Sequence, residues 1–88
     1  MTYEVTISRQ ACRALVDELP VAVAVACAEF IRGPLAQNPH RVGKQLRSPL
    51  AHLHSARRGE FRIIYQVQGA RILVHVVSIK HRRDAYRH

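Results

Sequence analysis

Tryptophan is absent from this 88-residue chain, and aromatic residues make up only 6% of it. A core built from it must rest on Val, Ile, Leu and Ala, in one small domain spanning residues 1–88. Cysteine is scarce too. Cys12 and Cys27 lack any CxxC spacing and lie in apolar segments, so they read as reduced core thiols of a cytoplasmic protein. Met1 leads straight into Thr2-Tyr3-Glu4 without a basic leader, and the longest apolar run, Val21 to Ala28, is far too short to span a bilayer. Secretion and membrane insertion are therefore not expected. A Gly-rich phosphate loop and a serine nucleophile motif are also missing. Six histidines include His52-x-His54, but no Cys or carboxylate is placed to complete a metal site, and no metal or cofactor is expected.

Acidic residues are the other shortage: six Asp and Glu face fourteen Lys and Arg, for a formal charge of +8. The imbalance is one-sided. Residues 1–40 carry three Arg and four acids, whereas residues 41–88 carry eleven Lys or Arg and two acids. A field of this shape concentrates polyanions at one part of the molecule, and nucleic acid is the leading partner class. Twelve of the fourteen cations are Arg, whose planar fork suits bidentate phosphate recognition. An acidic protein partner fits the same field.

The chain reads as β-α-α-β-β-β. Tyr3 to Ser8 alternates apolar and polar residues as a half-buried strand does, and Ser8 fits a helix N-cap. Cys12, Leu15, Val16 and Leu19 then recur at helical spacing, predicting an amphipathic helix over residues 9–19 with those four on its buried side. Pro20 opens a second helix from Val21 to Leu35, ended or kinked by Gly33-Pro34. Residues 36–50 read mostly as loop. Three strands follow: His52 to Arg58, Phe61 to Val67 and Arg71 to Lys80, the last apolar on both faces and so central, with His75 as a hydrogen-bonded core residue. A tight turn at Gly69-Ala70 joins the last two. The expected fold is α+β, with a helical hairpin on one face of a mainly antiparallel four-stranded sheet.

If Gly59-Glu60 is a two-residue turn, Arg57 stands opposite Arg62 on the same face. Like charges so placed repel, and a phosphate is the natural counter-ion. The run Lys80-His81-Arg82-Arg83-Asp84-Ala85-Tyr86-Arg87 emerges at one end of the sheet. It offers an imidazole for proton transfer, a phenol ring for base stacking and guanidinium groups for phosphorane charge. Those groups suffice for metal-free RNA cleavage, although a basic tail that only binds accounts for the same residues.

Three stretches carry a resemblance. Pro39-His40-Arg41-Val42-Gly43-Lys44-Gln45-Leu46-Arg47 resembles the loop before the catalytic hairpin of RelE/ParE-superfamily toxins. Ser55-Ala56-Arg57-Arg58-Gly59-Glu60-Phe61-Arg62-Ile63-Ile64-Tyr65 looks like the superfamily's most recognisable segment, and His81-Arg82-Arg83-Asp84-Ala85-Tyr86 is similar to its closing motif. The resemblance implies a microbial RNase-like fold and the toxin of a type II toxin–antitoxin pair. It implies a RelB-like antitoxin, operator DNA bound through that antitoxin, and ribosome-dependent cleavage of mRNA in the A site. Carried over, Arg62 would hold the scissile phosphate with Arg57 beside it, Arg82 would stabilise charge or protonate the leaving group, and Tyr86 would stack on the substrate base. Lys44, Arg47, Arg58 and Arg83 are read as further RNA contacts. Where some RelE enzymes have lysines on the first hairpin strand, this chain has Leu53 and Ser55, so no general base is inherited. His81 is the expected substitute and His54 the second choice. The competing expectations are a ParE-like inhibitor of DNA gyrase and a non-enzymatic basic RNA-binding protein.

Overall fold

The computed structural model describes residues 2–83; Asp84, Ala85 and Tyr86, the end of the closing motif, lie outside them. Strand β1 (Glu4–Ile7) runs into helix α1 (Arg9–Arg13), which continues as a π-helical stretch, Ala14–Glu18. Helix α2 (Val21–Phe30) likewise widens into a π-helical stretch, Ile31–Leu35. A short helix α3 (Pro39–Val42) and a two-residue strand β2 (Lys44–Gln45) precede strands β3 (His54–Arg58), β4 (Phe61–Gln68) and β5 (Leu73–His81). The sheet order is β1-β5-β4-β3-β2, parallel only between β1 and β5. The sheet therefore has five strands among the described residues, one more than expected. Two residues are too few to show a period of two, and this is why β2 reads as loop in the sequence.

Ser8 caps α1 as expected, its Oγ accepting from the Ala11 amide at 3.0 Å. The buried side of the helix differs from the expected one. Ala11 and Ala14 are buried, Leu15 and Leu19 pack beside them, and Cys12 and Val16 face solvent, Val16 at 74% exposure. Two alanines let the helix lie close to the sheet, and the bond from the Leu19 amide to the Ala14 carbonyl, five residues back, shifts the phase of the last turn. Only Cys27 is a core thiol. Burial pushes its pKa up, with the positive charge of Arg58 pulling the other way. In the second helix Pro34 has no amide to give an i→i−4 bond, and the widened turn absorbs the gap without ending the helix.

The helices lay Ala11, Ala14, Cys27, Ile31 and Leu35 against Ala56, Ile63, Tyr65, Val74, Val76 and Ile79 of the sheet. That leaves the opposite sheet face open. Strand β5 is interior, as its apolar character predicts, but His75 is only partly buried and pairs with Thr6 Oγ1 at 2.7 Å across the β1–β5 seam. The β4–β5 connection is longer than a tight turn. Gln68 pairs with Leu73, leaving a 3₁₀ turn, Gly69–Arg71, and Ile72 at φ 52°, a strained conformation for a β-branched residue.

Candidate nucleic-acid interface

The β3–β4 hairpin closes through Gly59-Glu60, with Gly59 at φ 61° supplying the left-handed corner. The register that follows pairs Arg58 with Phe61, Arg57 with Arg62 and Ser55 with Ile64. Residues directly opposite share a face. Ala56 and Ile63 point to the helices, so Arg57, Arg62 and Ser55 point to the open face. Lys44 pairs with Ser55 from the edge strand β2.

These elements enclose a groove of about 680 Å³ whose lining includes Arg41, Lys44, Arg47, Ser55, Arg57 and Arg62. Five cations line it and no carboxylate does. Ser55 Oγ and Arg62 Nε are buried with no hydrogen-bond partner among the described residues. Buried donors left unpaired are costly, and an anion with several acceptor oxygens is the ligand that would satisfy them.

The groove wall is held by one buried contact. Tyr65, with no exposed surface, donates its hydroxyl hydrogen to the Pro39 carbonyl at 2.6 Å and so ties α3 to the sheet. His54 stacks on Tyr65 with centroids 5.5 Å apart, and His40 meets His54 edge-on at 5.6 Å. Burial, with the nearby His40, holds His54 below the ordinary imidazole pKa. Burial also pushes the Tyr65 phenol up to about 12 from 10.0. The unfolded phenol ionises first as pH rises, so this contribution to stability is complete below pH 10 and lost as pH climbs through about 12. Denaturant titrations between those values should show a falling stability that Tyr65→Phe flattens. An unchanged slope in the variant would dismiss Tyr65 as its source.

The expected site residues divide by face. Arg57, Arg62, Lys44 and Arg47 come together in the groove. Arg58 does not. It lies on the helix side with its guanidinium carbon 5.9 Å from the centre of the Phe30 ring, because it alternates with Arg57 along β3. His81 is opposite Phe61 and meets its ring edge-on at 5.4 Å, also on the helix side. Its Nδ1 accepts from the Arg83 amide at 3.3 Å and its Nε2 is 3.8 Å from Glu60 Oε2. An imidazole held so, with the sheet between it and Arg62, is not placed to take a proton at the groove. His54, stacked on Tyr65, is on the helix side as well. Arg82 sits at the hairpin tip, its amide donating to the Glu60 carbonyl at 2.7 Å and its guanidinium 3.9 Å from the Glu60 carboxylate. Arg83 is exposed beside it, and Tyr86 is outside the described residues. Two groove features escape a reading of the sequence, Ser55 and Gly43, and so does Lys80, which is outside the groove lining on the neighbouring strand. Lys80 is opposite Arg62 in the β4–β5 register.

Known proteins agree with this architecture. Residues 12–86 match the family described as the ParE toxin of the type II toxin-antitoxin system parDE. The chain is 46% identical over 85 residues to Toxin RelE of Mycobacterium tuberculosis, covering 97% of this chain and 87% of that protein. It is 40% identical over 87 residues to Toxin RelG of the same organism, covering 99% of each. A chain of the toxin–antitoxin complex RelBE2 from M. tuberculosis superposes with a TM-score of 0.87 at 37% identity, over 92% of this chain and 99% of that one. By sequence and by fold, this chain belongs to the RelE/ParE superfamily, the toxins of type II toxin–antitoxin systems.

Proposed function

We propose that the chain is a ribosome-dependent endoribonuclease that cuts mRNA in the A site and is silenced by a RelB-like antitoxin. The observation that carries this reading is Arg57 facing Arg62 across β3 and β4, in a groove whose charged lining residues are all cations. In the reaction the 2′-hydroxyl oxygen attacks the adjacent phosphorus, the P–O5′ bond breaks, and a 2′,3′-cyclic phosphate forms. The 2′-hydroxyl proton passes to water, and the 5′-oxygen leaves as a hydroxyl with a proton taken from water. Arg57 and Arg62 hold the phosphate and offset the charge that grows on its non-bridging oxygens, a donor arrangement that acts most strongly in the transition state. Arg82 supports the leaving oxygen and Tyr86 stacks on the base at the cleavage point. Arg41, Lys44 and Arg47 bind flanking phosphates, where each contact releases counterions and makes affinity fall with salt.

The antitoxin reading draws on the RelBE2 complex, in which the similar chain is solved with its antitoxin. An acidic and apolar segment that folds on binding would cover the groove and neutralise it. The complex would act on operator DNA through the antitoxin, and the toxin, once freed, on ribosomes in the cytoplasm. Among the described residues, no helix is long and apolar enough to cross a membrane.

The test is primer extension on ribosomes carrying a defined mRNA, with free mRNA and an Arg62→Ala/Tyr86→Phe variant alongside. Cleavage within the A-site codon that needs the ribosome and vanishes in the variant is the expected result. Because the matching family is described by ParE, a gyrase supercoiling assay runs in parallel. Inhibited supercoiling without cleavage would replace this reading with a ParE-type activity. Silence in both, with RNA still bound, would leave a basic binding protein.

A further inference from the structure

Strand β5 brings a third cation to the arginine pair. The β3–β4 register puts Arg57 opposite Arg62, and the β4–β5 register puts Arg62 opposite Lys80. Ile79, the neighbour of Lys80, is buried in the core with Ile63, so Lys80 stands on the open face with Arg57 and Arg62. Three positive side chains thus occupy one rung across three adjacent strands, each directly opposite the next. Neighbours of this kind have Cβ atoms roughly 4.5–5.5 Å apart. Carboxylates do not relieve the crowding. Among the described residues none of the three makes an ion pair: Glu60 is engaged with His81 and Arg82, Glu18 lines a cavity with Lys80 without pairing to it, and Glu4 lies opposite Leu73 at the far end of β5. Lys80 is only half-exposed, so bulk water screens it incompletely.

We propose that Lys80 is a substrate-binding residue, its ammonium group holding the same phosphate as Arg57 and Arg62 from the β5 side. The inference rests on the endoribonuclease reading for its substrate, but its geometry is independent of which polyanion is bound. The ammonium group supplies a compact charge and up to three donors, where the two guanidinium groups supply planar forks. One phosphodiester has enough lone pairs on its two non-bridging oxygens to accept from all three.

Two measurements on the same variants decide it. The first is ribosome-dependent cleavage. The second is binding of a 2′-O-methyl oligouridylate, which cannot be cut, over a range of salt concentrations. Lys80→Gln should lower cleavage by about 10- to 100-fold, the loss of one charge-assisted hydrogen bond. It should also reduce the slope of log affinity against log salt, by up to about 0.7, the value for one whole phosphate contact on a single strand. Lys80→Arg should recover most of both. Arg71→Gln, which removes a charge at the opposite end of the sheet, should change neither. Lys80→Met, confirmed as folded by its melting transition, repeats the test should Lys80→Gln fail to fold. A Lys80→Gln or Lys80→Met protein that matches Arg71→Gln in both assays overturns the proposal. If the unmodified protein cuts no mRNA, the endoribonuclease reading fails and the salt slope alone still decides Lys80.

Discussion

Arg62→Met should lower mRNA cleavage by about 10²–10³-fold, the range seen when one transition-state donor is removed. The same change should raise the stability of the free protein. Arg62 is the middle member of the rung, with Arg57 on one side and Lys80 on the other. Each like-charged neighbour pair is unfavourable by a few tenths to about 1 kcal/mol. Arg62 Nε is also buried with no partner among the described residues, which adds a desolvation penalty. Methionine keeps most of the apolar stem and removes both penalties. Arg57→Met relieves only one neighbour, so its gain should be smaller. Thermal unfolding and ribosome cleavage on one set of preparations check this. Activity and stability falling together would mean that Arg62 is a structural residue, and the groove would lose its strongest claim to be the site. A cost of this kind, kept in the free protein, is what a site built around an absent anion carries.

Gly43→Ala should destabilise the protein by about 1–3 kcal/mol, as overpacking of a close contact does. Gly43 is not needed for its backbone conformation, which is extended at φ −135°. It is needed for space. A Cβ there would run into the Tyr65 hydroxyl and approach the Ser55 carbonyl oxygen to 2.9 Å. The hydroxyl cannot yield freely, since it is bonded to the Pro39 carbonyl. The two sites should therefore couple. Tyr65→Phe removes the hydroxyl, and Gly43→Ala made in that background should be less damaging than in the parent. Additive effects in a denaturant double-mutant cycle would refute the contact. Because Gly43 lies between Arg41 and Lys44 on the groove wall, the single variant should also weaken RNA binding more than its loss of stability explains.

The arginine pair was legible from the chain alone for a local reason. Given a two-residue turn at Gly59-Glu60, the pairing of the residues beside it has no freedom, so Arg57 opposite Arg62 follows from counting. Lys80 was not legible, although the same counting was available. A two-residue turn at Gly69-Ala70 would put Val77, not Lys80, opposite Arg62. The true connection leaves four residues, 69–72, unpaired, and a bulge near Tyr65 shifts the register once more, pairing Ile64 with Ser78 but Tyr65 with Val76. Each irregularity moves every later pairing, and neither leaves a mark in hydrophobic alternation.

The same division runs through the rest of the molecule. Composition, one-sided charge, helical and strand periodicity and the three family-like stretches determined the class of fold and the superfamily, and they pointed to nucleic acid as the partner class. They did so because each is a property of residues near one another in the chain. Which side of α1 is buried, whether His81 reaches the arginines and where Gly43 meets Tyr65 were decided only by tertiary structure. Alternation along β3 sends Arg58 to the helices and Arg57 to the groove, and alternation along β5 separates His81 from Lys80 in the same way. A side chain's face depends on the register of its strand, and register is set by how the whole sheet pairs.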